Sequence, residues 1–190
     1  MRVITGSAKG RRLKELEGMD TCPTTDRVKE GMFSALQFDI EGRRVLDLFA
    51  GTGQLGIECL SRGAESAVFV ERRKDAVALI RDNLKTTELS HKARVVSGDS
   101  MEYLNGVREK FDLIFLDPPY ADDLLEKAIA HIARFDILAP HGIIAAEHPA
   151  DKTLPALAPP YRVQRTYRYG KIALTLYRRD ANEANEETNQ

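Results

Sequence analysis

The sequence predicts a doubly wound α/β domain: a mostly parallel, seven-stranded sheet that ends in a C-terminal antiparallel hairpin and is preceded by a small basic β-hairpin arm. Three observations carry that expectation. From residue 43 onward, short continuous apolar runs alternate with helical patterns, as in strands buried on both faces. A glycine cluster, Gly51-Thr-Gly-Gln-Leu-Gly56, stands where the first such strand would turn into its helix. The alternation then breaks near residue 161, where YRVQRTYRYGKIALTLYRR reads as two strands about a tight turn at Gly170.

The elements follow in order. Residues 2–5 and 11–16 suit the two arms of an N-terminal hairpin. In PTTDRVKEGMFSAL, Thr25 or Asp26 can cap a helix that turns Val28, Met32, Phe33 and Leu36 inward. RRVLDLF (43–49) is the first strand of the sheet, and GQLGIECLSRG (53–63) its helix, closed by Gly63 at the C-terminal cap. SAVFVE (66–71) is the second strand, and the helix after it sets Val77, Ile80 and Leu84 on one stripe. ARVVSGD (93–99) is the third strand, with a short helix over 100–108. FDLIFLD (111–117) is the fourth; Leu125, Ile129, Ile132 and Phe135 line the helix that follows. GIIAAEH (142–148) is the fifth, and in the last hairpin Ile172, Leu174 and Leu176 alternate inward. The organisation is an arm over 1–22, one α/β domain over 23–179, and an acidic tail over 180–190. That tail, DANEANEETNQ, has no apolar periodicity and reads as disordered.

A length of 190 residues fits one domain. No apolar run approaches the ~20 residues of a membrane span, and the opening segment lacks the apolar core of a secretory signal. Cys22 and Cys59 are far apart and without metal-ligand spacing, so the expectation is a cytoplasmic protein with reduced thiols and no metal site. The net charge of −1 hides a segregated distribution. Arg2, Lys9, Arg11, Arg12 and Lys14 open the chain without an acid, and residues 152–179 hold only bases among their charged residues. Two basic ends suit contact with a polyanion; they suit solvated hairpin faces equally well.

Gly51, Gly53 and Gly56 fit G-x-G-x-x-G, and Glu71 closes the second strand twenty positions after Gly51. In a strand-turn-helix unit, such glycines let a ligand approach the backbone while the acid holds ribose hydroxyls. A nicotinamide dinucleotide and S-adenosylmethionine would both use this framework, the first with its pyrophosphate on the helix N-terminus. The second would lay its ribose on Glu71 and its methionine near Asp47.

The fourth strand separates the two ligands. It ends in Asp117-Pro118-Pro119-Tyr120. An aspartate usually turns back onto a backbone N–H one or two residues on, but both of those positions are proline and have none. The prolines also fix successive φ angles, so the carboxylate is held out in a stiff corner. A donor that needs such a corner is the exocyclic amine of a nucleobase. Its N–H bonds would point at Asp117 and the Pro118 carbonyl, where charge developing on nitrogen is stabilised. Tyr120 supplies a flat face for the base, which must be flipped out or unpaired. Hydride transfer has no evident use for the tetrapeptide, so the expected chemistry is methyl transfer to a base amine.

With these motifs the chain resembles the RsmD-like bacterial methyltransferases, which modify the N2 amine of a guanine in 16S ribosomal RNA. The likeness runs through RVITGSAKGRRL, PTTDRVKEGMF, DLFAGTGQLGIECLSRGA, FVE, DPPY and YGKIALTLYRR, and covers nearly all of the chain except the acidic tail. It implies a Rossmann-like class I methyltransferase fold with S-adenosylmethionine held by Asp47, Phe49, Gly51, Gly53, Glu71, Asp99 and Ser100. Asp99 would accept the adenine amine or cap the helix after it, or do both. The resemblance further implies Asp117, Pro118 and Tyr120 at the target guanine, with Arg11, Arg12, Thr25, Arg27 and Pro119 on the substrate side. Thr25 and Arg27 suit capping and surface roles as well. The implied partner is 16S rRNA in an assembled or partly assembled small subunit, met by a monomer. Cys22 departs from the family, which usually has Arg there, and so puts one contact in doubt. Rival readings are the same chemistry on adenine N6 or another RNA, a dinucleotide-dependent oxidoreductase, and a non-catalytic RNA-binding relic.

Overall fold

A computed structural model of the chain describes residues 1–16, 26–119 and 123–181. Five apolar runs form the parallel strands β1 (Arg44–Asp47), β2 (Ser66–Glu71), β3 (Ala93–Ser97), β4 (Phe111–Leu116) and β5 (Leu138–Pro149). The last hairpin supplies β6 (Tyr161–Tyr169) and β7 (Ile172–Arg179), and β7 pairs antiparallel with both β5 and β6. The resulting sheet has the order β3-β2-β1-β4-β5-β7-β6.

The strands are apolar at successive positions because each face feeds a different core. Val45, Phe69, Leu113 and Phe115 point into one, and Leu46, Val68, Val70, Ile114 and Leu116 into the other. Helices α1 (Asp26–Ala35), α2 (Gln54–Ser61) and α3 (Lys74–Thr87) cover the first face. There, Met32, Phe33, Leu36, Ile80 and Leu84 fill the inward stripes that the sequence predicts. The second face is covered by α4 (Ser100–Gly106) and α5 (Leu124–Arg134).

Three expectations need correction. Phe135 does not line the core: α5 ends one residue earlier, and the ring is 55% exposed, lying against His131 and under the Arg134 guanidinium. Leu174 and Leu176 alternate into the first core as expected, but Ile172 is only half-buried and the intervening positions through Tyr177 are buried too, because β7 lies between two strands and serves both cores. The fifth strand also begins earlier than its apolar run, at Leu138, and the β4–β5 register shifts between Phe111 and Leu113.

The N-terminal hairpin is present but minimal, a single bridge between Arg2 and Arg12. It is docked rather than free. Buried Glu58 of α2 accepts the N–H groups of Ile4 (2.8 Å) and Thr5 (3.0 Å) and the Arg62 guanidinium (2.8 Å). One turn on, the Ser61 hydroxyl accepts from Ala8 N–H (3.0 Å) and donates to the Thr5 carbonyl (2.6 Å). Gly6 makes this docking possible: at φ +90° a Cβ there would lie 1.8 Å from the Ser61 carbonyl oxygen. Of the tail, Asp180 is held by its N–H bond to the Pro160 carbonyl (2.8 Å) and an ion pair with Arg162 (3.0 Å). Residues 182–190 lie outside the described residues. Among the described residues, no helix is long and apolar enough to cross a membrane, and no cluster of His, Cys, Asp or Glu could hold a metal ion.

Candidate active site

The carboxyl ends of β3, β2, β1 and β4 lie side by side, and the chain reverses its direction of winding between β1 and β4. Open α/β sheets bind ligands at such a switch point. Asp47 ends β1 with 2% of its surface exposed and accepts the Gly56 N–H at 3.1 Å. Burial pushes its carboxyl up to about 7; the Gly56 bond opposes that rise and the nearby charge of Glu71 adds to it. A buried carboxyl this easily protonated is suited to a cationic ligand group that would restore its charge.

Glu71, at the end of β2, accepts the Gly51 N–H (2.9 Å) and the Arg73 N–H (2.8 Å). It thereby holds the glycine loop in shape, and a carboxylate with two such bonds still has lone pairs for hydroxyl donors. Gly51 and Gly53 stand at φ +54° and +78°, and the space a Gly51 side chain would occupy is open. Gly56 serves packing instead, since a Cβ there would lie 2.3 Å from the Phe69 ring; its absence lets α2 close onto β2. Open backbone at Gly51 and an acid at each neighbouring strand end fit the adenosine and amino-acid parts of S-adenosylmethionine.

Asp99 caps α4, and a single oxygen accepts from Met101 N–H (2.8 Å) and Glu102 N–H (3.0 Å). The side chain is exposed, so its second oxygen can serve another donor. The Ser100 hydroxyl is buried and donates to the Leu48 carbonyl at 2.7 Å, which ties α4 to the loop after β1. Phe49 is half-buried against the second core.

Asp47 pairs in register with Phe115, so Asp117 lies one strand across and two residues further out. It is half-buried, Pro118 is buried and Pro119 is exposed. A depression lined by Pro118, Pro119, His148, Pro149 and Lys152 opens beside this corner. Tyr120 and Thr25 lie outside the described residues, as does Cys22. The remaining substrate-side candidates belong to other elements, α1 and the N-terminal hairpin. Arg27 is exposed on α1 and Arg12 is exposed on the hairpin. Arg11 binds the end of α3, through the Thr86 carbonyl (2.8 Å) and Glu88 (2.8 Å).

Two residues of the site escape the sequence reading. Asn83 is fully buried on α3; its amide donates to the carbonyls of Thr52 (3.0 Å) and Lys14 (3.2 Å), clamping the glycine loop to the arm. The sign of it was a polar residue inside the apolar stripe of Ile80 and Leu84. His148 is buried beside Pro118, its Nδ1 2.9 Å from the Pro149 carbonyl and its Nε2 2.9 Å from the Thr175 hydroxyl. A carbonyl only accepts, so Nδ1 carries the proton and Nε2 accepts from Thr175. Burial holds the imidazole below its usual range.

Comparison with known proteins places nearly the whole chain in a family. The family described as Conserved hypothetical protein 95 matches residues 1–178. Ribosomal RNA small subunit methyltransferase D of Haemophilus influenzae is 38% identical over 157 residues, covering 81% of this chain and 81% of that protein. Its Escherichia coli namesake is 34% identical over 181 residues, covering 95% and 91%. The solved structure of yhhF from Escherichia coli superposes with a TM-score of 0.84 at 34% identity, over 95% of this chain and 98% of that one.

Proposed function

Because the chain belongs to the Conserved hypothetical protein 95 family, the RsmD-like methyltransferases, we propose that it methylates the exocyclic N2 amine of a guanine in small-subunit ribosomal RNA. S-adenosylmethionine supplies a methyl group already activated by its sulfonium. What the protein itself must provide is therefore alignment and control of charge. Asp47 meets the methionine ammonium, which returns its buried carboxyl to the ionised state. Glu71 takes the ribose hydroxyls while it fixes Gly51, and Asp99 takes the adenine amine with the oxygen not used as a cap.

Asp117 and the Pro118 carbonyl accept the two N–H bonds of the guanine amine, whose lone pair is turned toward the methyl carbon. As the N–C bond forms and the S–C bond breaks, positive charge appears on nitrogen, and the Asp117 carboxylate stabilises it. One proton then passes from the nitrogen to solvent water, which leaves the methylated amine neutral. The base stacks on Tyr120. The small subunit, assembled or partly assembled, is the substrate, and the protein acts on it as a monomer.

The single observation that carries the reading is the adjacency, at one end of the sheet, of the Asp47–Glu71 glycine-loop frame and the Asp117-Pro118-Pro119 corner. Asp117→Ala tests it. Methylation of small subunits from a strain lacking the protein should fall by roughly 100-fold or more, since a charge-stabilising group is lost. Affinity for S-adenosylmethionine should stay within about twofold, because the carboxylate acts only at the amine. A parallel loss of cofactor affinity would show that the carboxylate belongs to the cofactor site. Mass mapping of the product identifies the methylated atom.

A further inference from the structure

We infer that the open edge of the sheet, strand β6, is the track along which the RNA backbone approaches the reacting corner; this rests on the RNA-methylating reading above. Among the described residues β6 is terminal in the sheet, with only β7 beside it, so no described strand covers its outer hydrogen-bonding edge. Residues 162–166 and Arg168 are exposed along it.

The charged side chains of that edge are all bases. Arg162 and Arg165, either side of a bulge, stand on one face of the strand, Arg168 stands on the other, Lys171 follows in the turn, and no acid interrupts residues 161–179. At ~3.3 Å per residue, the nine residues of β6 extend roughly 30 Å. The inner end of this stripe lies at the site. Pro149 of β5 pairs with Ile172, Ala150 N–H bonds the Lys171 carbonyl (2.9 Å), and the Arg168 guanidinium reaches the Ala150 carbonyl. Pro149 itself lines the depression that contains Pro118 and Pro119. A backbone that follows the stripe inward arrives beside the methyl-accepting corner.

Comparison of the two basic segments sharpens the assignment. In the N-terminal hairpin, two of the five bases are paired with acids on or just after α3, Arg11 with Glu88 and Lys14 with Asp82. On β6, Arg162 pairs with Asp180 at the far end, whereas Arg168 bonds a neutral carbonyl and Arg165 lies 5.0 Å over the Tyr167 ring. Those two contacts orient the guanidiniums without cancelling their charge. A second copy of this chain fits poorly here, because antiparallel pairing of two such edges sets like charges against each other. A polyanion fits the same edge well.

The test is the salt dependence of binding to small ribosomal subunits from a strain lacking the protein. Each phosphate contact contributes ~0.7–0.9 to the slope of log affinity against log salt. Arg165→Gln with Arg168→Gln should lower the slope by about 1.4–1.8 and weaken binding, with cofactor affinity and melting temperature retained. Arg165→Gln with Lys171→Gln makes the same charge change without touching the Ala150 contact and should act alike. Lys92→Gln with Arg94→Gln, at the opposite edge on β3 and just before it, should leave the slope as in the parent. Parental slopes in both β6 variants, with the parent still methylating the subunits, would overturn the track alone. A parent that neither binds nor methylates them would overturn the reading of the reaction and the track with it.

Discussion

Replacing Asp47 by Asn keeps the side chain's size and leaves an oxygen for the Gly56 N–H, but removes the charge. The carboxyl rises from 3.8 to about 7 because it is buried at the end of β1. Each pH unit of such a rise corresponds to ~1.36 kcal/mol, so ionised Asp47 destabilises the cofactor-free fold by roughly 4 kcal/mol above pH 7. The sign follows from proton counting. Between about pH 4 and pH 7 the folded chain keeps a proton that the unfolded chain has released, so this group's contribution to stability declines as pH rises through that window. Asn has no such decline. In urea unfolding of the cofactor-free proteins, Asp47→Asn should therefore gain on the parent between pH 5 and pH 8, by about 2–3 kcal/mol within that narrower range. Calorimetry at pH 8 should meanwhile record at least a tenfold loss of S-adenosylmethionine affinity, as the ammonium loses its carboxylate. An identical pH dependence of stability in the two proteins would refute the reasoning about burial, and unchanged affinity would refute the ammonium contact.

The other expectations use the same structure. In the parent protein, S-adenosylmethionine affinity should weaken as pH falls below about 7, because Asp47 must then release a proton to bind the ammonium; calorimetry giving a flat profile from pH 6 to pH 8 would contradict this. Glu58→Ala should cost about 3–5 kcal/mol in urea unfolding, since it strips the Arg62 guanidinium and two arm N–H groups of their buried acceptor. A loss below about 1 kcal/mol would mean that the arm is held by its apolar residues Val3, Ala8 and Leu13 instead.

Much of this protein is written locally in the chain. Short apolar runs such as FDLIFL, each followed by a helical pattern, suit strands covered on both sides, and the glycine cluster suits the turn from such a strand into its helix. The Asp-Pro-Pro corner is likewise local, because missing N–H groups and restricted φ angles belong to the residues themselves. Elements carried by neighbours in sequence were therefore readable before the fold was known, as was the resemblance to a methyltransferase family.

Features that depend on which elements become neighbours were decided only by the fold. Nothing in the YGKIALTLYRR pattern says that β7, not β6, joins β5; that choice buries β7 on both faces and leaves β6 as the open cationic edge. Arg11 and Lys14 read as free bases until α3 brings Glu88 and Asp82 beside them. Glu58, an ordinary helical acid in sequence, becomes the buried acceptor for an arm more than fifty residues away. Asn83 becomes the clamp between that arm and the glycine loop. Backbone preference and local sterics act over a few residues and can be read from them. Burial, charge neutralisation and long-range hydrogen bonds exist only once distant segments meet.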